Sequence, residues 1–248
     1  VTFDNLGLRG ANAAALHLRD ANGIRLQNCD VERSGDAAVL VDGKSDDVKI
    51  ENNSITQSNN SGVRAETAPG SATLLIRYNT IADTGLLPGM GGSGTNGHHS
   101  AVNVIRDHCQ IELNTVKRTG YMGIAFVATQ DVTVNRNVVE SFCRVLDGAS
   151  GIYSQHGSEV AQSGQKISNN VVTGGVGNVE GVAGAVTDYR LAHGIDLEGY
   201  TQGVTIDGNT VFGNAGAGIF LGVYVKNIDV LNNTAFDNYS QLLVNRTS

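Results

Sequence analysis

Residues 147 to 157 read DGASGIYSQHG, and residues 193 to 199 read HGIDLEG. The first stretch holds Asp147, Tyr153 and His156, and the second holds Asp196 and Glu198 one residue apart. Two carboxylates flanking a groove are what glycoside cleavage requires, one as the acid and the other as nucleophile or base. An aspartate before glycine is by itself a turn residue. Asp147 gains weight only if Glu198 faces the same groove, and Asp196 is the alternative partner, either orienting Glu198 or contacting sugar hydroxyls.

A second chemistry uses Arg106, Arg144 or Arg190. A lyase or epimerase acting on a uronic acid must neutralise the substrate carboxylate and remove the adjacent proton, and Tyr153 or His156 beside such an arginine would suit. Tyr121, Tyr189 and Tyr200 can stack on sugar rings, and His98, His99 and His193 can exchange protons, although each alone reads as an ordinary packed or solvated side chain. Asp46 and Asp47 share a turn, and Asp196 and Glu198 share a face. Neither pair makes an oxygen cage, so no metal or cofactor is expected; calcium is the ion these acids would suit.

The elements that must position these groups come from a repeat. Aligned on one asparagine, the chain reads DVKIENNSI, TLLIRYNTI, CQIELNTV, DVTVNRNVV, QKISNNVV, GVTIDGNTV and NIDVLNNTA, with Asn53, Asn79, Asn114, Asn137, Asn170, Asn209 and Asn233 in common. Cys29 and Leu6 hold the place in two earlier copies. A small residue and an alternating strand follow, as in GVRA, GIAF, GIDL and GIFL. A unit of strand, asparagine turn, short strand, glycine and strand, about 23 residues long, is one coil of a parallel β-solenoid. The expected fold is therefore all-β, one domain over residues 1–248, with nine coils. Stacked at about 4.8 Å, the asparagines should pair their amides as an internal ladder while tolerating a left-handed backbone. That reading also accounts for most of the N-x-S/T matches without glycosylation.

Three coils depart from the repeat at one corner. Coil four inserts DTGLLPGMGGSGTNGHH, coil six SFCRVLDGAS and coil seven GGVGNVEGVAGAVTDYRLAH, whereas coil five keeps the short RTGYMG. These insertions should stand as walls around a low floor at coil five, with Tyr121, Ala125 and Val127 on it. Alternation turns Tyr153, Gln155, Asp196 and Glu198 outward beside that floor. On the first strand of each coil the outward residues, among them Arg25, Lys49, Glu51 and Arg77, are mixed in sign and read as a solvated face.

Composition sets the outer bounds. A net charge of -7 speaks against nucleic acid, which needs a basic face. There is no apolar run of membrane-spanning length and no signal-like N-terminus. Cys29 and Cys109 fall three strand spacings apart, beyond disulfide reach, and Cys143 should be a free thiol. Stacked coils need covering at both ends, so a flanking domain or partner chain is expected there.

With these residues in place, the chain resembles the right-handed parallel β-helix proteins active on polysaccharides. LDGASGIYS and HGIDLEG look like motifs of β-helical glycoside hydrolases, in which an aspartate before a GIY strand and an acid after a GI-x-L strand serve catalysis. That resemblance implies Asp147 and Glu198 as the catalytic pair, with Tyr121, Tyr153, Asp196 and His156 lining the groove, a polysaccharide or oligosaccharide partner and an extracellular or periplasmic location. Alginate epimerases are similar in outline, and a non-catalytic adhesin or tailspike module fits the same fold.

Overall fold

The computed structural model describes residues 1–66, 73–88, 99–180 and 189–245. Every coil contributes one strand to each of three sheets, and each sheet has nine strands paired in parallel, so the chain is a parallel β-helix. In the first sheet Val48–Glu51 pairs with Leu74–Arg77, which pairs with Cys109–Glu112. Short strands such as Ser54–Thr56 and Thr115–Thr119 build the second sheet. The third sheet runs, from coil four to coil eight, through Val102–Val104, Ile124–Val127, Ala149–His156, Ala192–Gly199 and Ala217–Leu221.

The register places like on like. Val63, Val102, Ile124, Ile152, Ile195 and Ile219 follow one another across the third sheet, and all are buried. Alternate β-branched residues therefore form continuous apolar columns inside the coil, which is where the fold's burial energy resides.

Between the first and second sheets the asparagines form the expected ladder. Each side-chain Oδ1 accepts both the backbone N–H and the Nδ2 of the asparagine one coil earlier, as Asn137 does from Asn114 at 3.0 Å each. The Nδ2 groups also donate to backbone carbonyls, Asn137 to Ile111 O at 2.9 Å. The run continues to Asn233, and at its other end Cys29 donates its N–H to Asn53 while its Sγ accepts the Leu6 N–H. One detail of the expectation is corrected. The left-handed residue is the one before the ladder asparagine: Asn52, Tyr78, Leu113, Arg136 and Asn169 all have φ between 54° and 58°. The ladder side chain must point inward to find its partners, so the bend falls one residue earlier, even where leucine or tyrosine must bear it.

The entry to the third sheet explains the repeated glycines. A Cβ on Gly194 would lie 2.6 Å from Gly218 O, and one on Gly62 2.7 Å from Ala101 O. Successive coils approach there through backbone alone.

Two other expectations change. Glu51 is buried between arginines on the neighbouring strands, 2.6 Å from Arg77 Nε and 3.2 Å from Arg25 Nε, so part of the first sheet's outer face is an ion-pair ladder rather than scattered solvated charge. The coil-six insertion does not stand up as a wall either. Its backbone folds back on coil five, with Cys143 N–H donating to Tyr121 O, Arg144 N–H to Thr119 O, and the Val145 and Leu146 N–H groups to Gly120 O. Backbone donors at a coil edge must find acceptors, and the short turn of coil five supplies them. All three cysteines are buried free thiols.

Candidate active site

On the outer face of the third sheet, in-register pairing lines up Asn103, Ala125, Tyr153, Asp196 and Phe220. Two residues further along the strands come Val127, Gln155, Glu198 and Gly222. An outward row ought to be exposed, yet Ala125 is 0%, Asn103 2%, Asp196 3% and Tyr153 4% accessible. The low open floor expected at coil five is thus a covered one.

Tyr153 and Asp196 sit opposite each other on adjacent strands, as do Gln155 and Glu198. The Tyr153 hydroxyl lies 3.1 Å from Glu198 Oε2 and 3.1 Å from Gln155 Oε1, and can donate to either. Glu198 is half-exposed. Asp196 has the opposite surroundings: its Oδ1 is buried with no hydrogen-bond partner among the described residues. Burial first, and the Glu198 charge second, hold the Asp196 carboxyl well above the usual carboxylate range, with Ser150 offsetting part of the effect. Burial also pushes the Tyr153 hydroxyl far up, and the charges of Glu198 and Asp196 add to it. Two acids on one strand thus have opposite surroundings, one buried with its carboxyl pushed toward the neutral form and the other half-exposed beside a hydroxyl donor, a difference of the kind that separates an acid from a base.

Tyr121 borders the pair. Its hydroxyl donates to Gly148 O at 2.7 Å and is pushed up to about 12, by burial first and then by the nearby groups Cys143, Glu198, Asp196 and Asp147. On the far side His193 stacks on Phe220, ring centroids 4.5 Å apart, and its Nδ1 accepts the Ala217 N–H at 2.9 Å. Burial lowers its pKa to about 4, so the ring is neutral with its proton on Nε2.

The other nominated residues make contacts of their own. Asp147 lies six residues before Tyr153, and its Oδ1 accepts the Leu191 N–H at 2.9 Å and lies close to Gly177, so it holds the returning end of the coil-seven insertion. Arg144 is exposed and donates to Ser141 Oγ at 2.7 Å. Arg106 is buried, and its Nη2 donates to Ser45 O at 2.7 Å. His156 turns to Ser158 O at 3.1 Å. His98 lies outside the described residues. Among the described residues no three His, Cys, Asp or Glu side chains gather as a metal-holding group. Ser150 also belongs to the site and carried no signal in the sequence, whereas Gln155 was marked only by the strand alternation that turns it outward level with Glu198.

The family model for the right-handed β-helix region matches residues 14–248. This chain belongs to that family. No curated protein sequence matches it. Among solved structures, this β-helix protein is similar to the catalytic unit of a thermostable GH87 α-1,3-glucanase from Streptomyces thermodiastaticus, at 17% identity and a TM-score of 0.67 over 97% of this chain and 45% of that one. It is similar also to the Streptococcus pneumoniae surface protein and adhesin PfbA, at 10% identity and 0.61, over 93% of this chain and 68% of the other. A third is the A-module of the Azotobacter vinelandii mannuronan C-5 epimerase AlgE4, at 17% and 0.55, over 96% and 69%. The β-helix protein thus spans less than half of the glucanase unit, and at these identities the likeness is one of fold.

Proposed function

We propose that this β-helix protein is a glycoside hydrolase acting on a polysaccharide or oligosaccharide outside the cytoplasm. The observation that carries the reading is the Asp196 and Glu198 pair, two residues apart on one strand face, with Asp196 buried, its Oδ1 without a partner among the described residues, and Glu198 half-exposed beside the Tyr153 hydroxyl. The glucanase shares its fold, which supports a glycan substrate by analogy.

In this reading Asp196 gives its proton to the glycosidic oxygen as the C–O bond breaks, and the glycan oxygen is the partner its Oδ1 lacks. Glu198 either attacks the anomeric carbon or takes a proton from the water that does. Residues two apart on a strand have their Cα atoms about 6.6 Å apart, so both side chains leave the same sheet face as neighbours. Asp147 then has a supporting role, holding the coil-seven insertion in place.

The test is to incubate the protein with a panel of α- and β-glucans, galacturonans and alginates, following both reducing ends and ultraviolet absorbance. New reducing ends without absorbance, lost by a factor of 10² or more in Glu198→Gln and Asp196→Asn, are expected. Absorbance from an unsaturated uronic product would show a lyase instead, and glycan binding with no product would show a non-catalytic module.

A further inference from the structure

The chain has seven tyrosines and no tryptophan. Six of the seven lie on the third sheet of coils five to nine or in the turns at its ends: Tyr121, Tyr153, Tyr189, Tyr200, Tyr224 and Tyr239. The third sheet of coils one to four has none, and its outer face carries ion pairs such as Arg19 with Asp42 and Arg64 with Glu66. A ring with an apolar face and a polar tip is concentrated on the part of the molecule that holds the acid pair.

The tyrosines outside the pair's immediate shell fall into two groups. Just past Glu198, Tyr200 and Tyr224 stack at 5.0 Å with planes 12° apart, and Tyr224 is 52% accessible. Before the start of the same strands, Tyr189 meets Tyr239 at 4.7 Å and 58°, and Tyr239 is 60% accessible. Between the groups runs the eight-residue strand Ala192–Gly199, about 26 Å of extended chain with Asp196 and Glu198 on it. Stacking alone carries nothing, since Phe212 and Phe236 also stack, at 4.8 Å, on the second sheet. Placement carries the argument: exposed tyrosine faces at both ends of the one strand that bears the acids.

Resting on the hydrolase reading, we propose that the two tyrosine pairs are sugar-stacking subsites, one on each side of Asp196 and Glu198. They hold a glycan chain along the strand direction, perpendicular to the helix axis, so that cleavage falls at an internal bond. Sugar rings offer an apolar C–H face to the tyrosine face, while hydroxyls reach the phenolic tips. The pairs supply length and orientation, and the acids supply the bond cleaved.

The test is affinity electrophoresis of the whole chain, carrying Glu198→Gln so that the polymer survives, through gels containing a soluble α-glucan, a β-glucan or alginate. Retardation by at least one polymer is expected. Tyr224→Ala and Tyr239→Ala should each weaken it several-fold to about tenfold, while Tyr224→Phe and Tyr239→Phe, which keep the stacking face, should retain most of it. Thermal melts of the same variants separate lost binding from lost folding. Alanine variants retarded as strongly as the parent, or a parent retarded by none of the polymers, would overturn the proposal. Weakened retardation in a protein that cleaves nothing supports the subsites while removing the hydrolase; undiminished retardation in an active hydrolase does the reverse. In an active protein, products of intermediate length are expected, and single sugars released from chain ends would overturn the internal cut.

Discussion

The hydroxyl of Tyr153 and Oε2 of Glu198 lie 3.1 Å apart although 45 residues separate them in the chain. In-register pairing of coils six and seven makes them neighbours, with Tyr153 facing Asp196 and Gln155 facing Glu198. One hydrogen bond therefore ties the half-exposed acid to the strand next door, and the buried acid sits one step back from it.

Removing that hydroxyl isolates its contribution. Tyr153→Phe keeps the ring and loses the donor, and a hydrogen bond to a charged group is worth about 1.5–3 kcal/mol. The expected outcome is a melting temperature lowered by a few degrees and, on the glycan that the parent cleaves, a kcat/KM lower by about tenfold or more. Unchanged kinetics would remove Tyr153 from the proposed mechanism.

Asp196 should cost the fold stability at neutral pH. Its folded pKa lies well above the ordinary 3.8, so its favourable contribution is full below that value and is lost as pH rises through the folded value. Asn cannot ionise. Asp196→Asn should therefore melt higher than the parent at pH 8, with the advantage disappearing in acid, as calorimetry across pH would show. Lower stability of the variant at every pH would contradict this account of its burial.

His193 should act in the other direction. With its folded pKa lowered from 6.5 to about 4, its contribution is present above 6.5 and is lost as pH falls through about 4, an effect of roughly 3 kcal/mol at most. His193→Gln should flatten the stability profile between pH 6.5 and 4. Denaturant midpoints collected over that range check it.

The ladder gives a prediction about the scaffold alone. Asn137→Ala leaves the Asn114 N–H and Nδ2 and the Ile111 carbonyl without the partner they have now, all in the interior. Each unpaired buried group costs about 1–3 kcal/mol, so a loss of about 3 kcal/mol or more is expected in chemical denaturation. An equivalent change at exposed Asn12 should cost under about 0.5 kcal/mol.

Much of the scaffold was legible from the sequence because a solenoid repeats its own evidence. One asparagine in NNSI is a weak signal, but seven at one phase fixed the coil, the inward columns and the register that brings Tyr153 beside Asp196. The insertions were less legible, because their length says how much chain leaves the repeat and not where it goes. Val145 and Leu146 bond back to coil five to satisfy their own N–H groups, and Asp147 follows them to Leu191. Hence motif resemblance pointed to Asp147 as half of the acid pair, while the burial that sets Asp196 apart required the coordinates. Arg106 is similar: nothing in its neighbours in sequence marks it as an interior side chain bonded to Ser45.

The ladder and the insertions occupy different corners of each coil. Pitch is set where the asparagines are, between the first and second sheets, and the chain then departs for a handful of residues or for about twenty before rejoining. Val102, Ile124, Ile152 and Ile195 still fall level with one another after departures of very different lengths. Chain length at one vertex is thereby uncoupled from alignment on the sheet beyond it. Segments grafted into coils four, six or seven should therefore reshape what the acids see without moving the acids, which makes this vertex the place to retune specificity on a fixed frame.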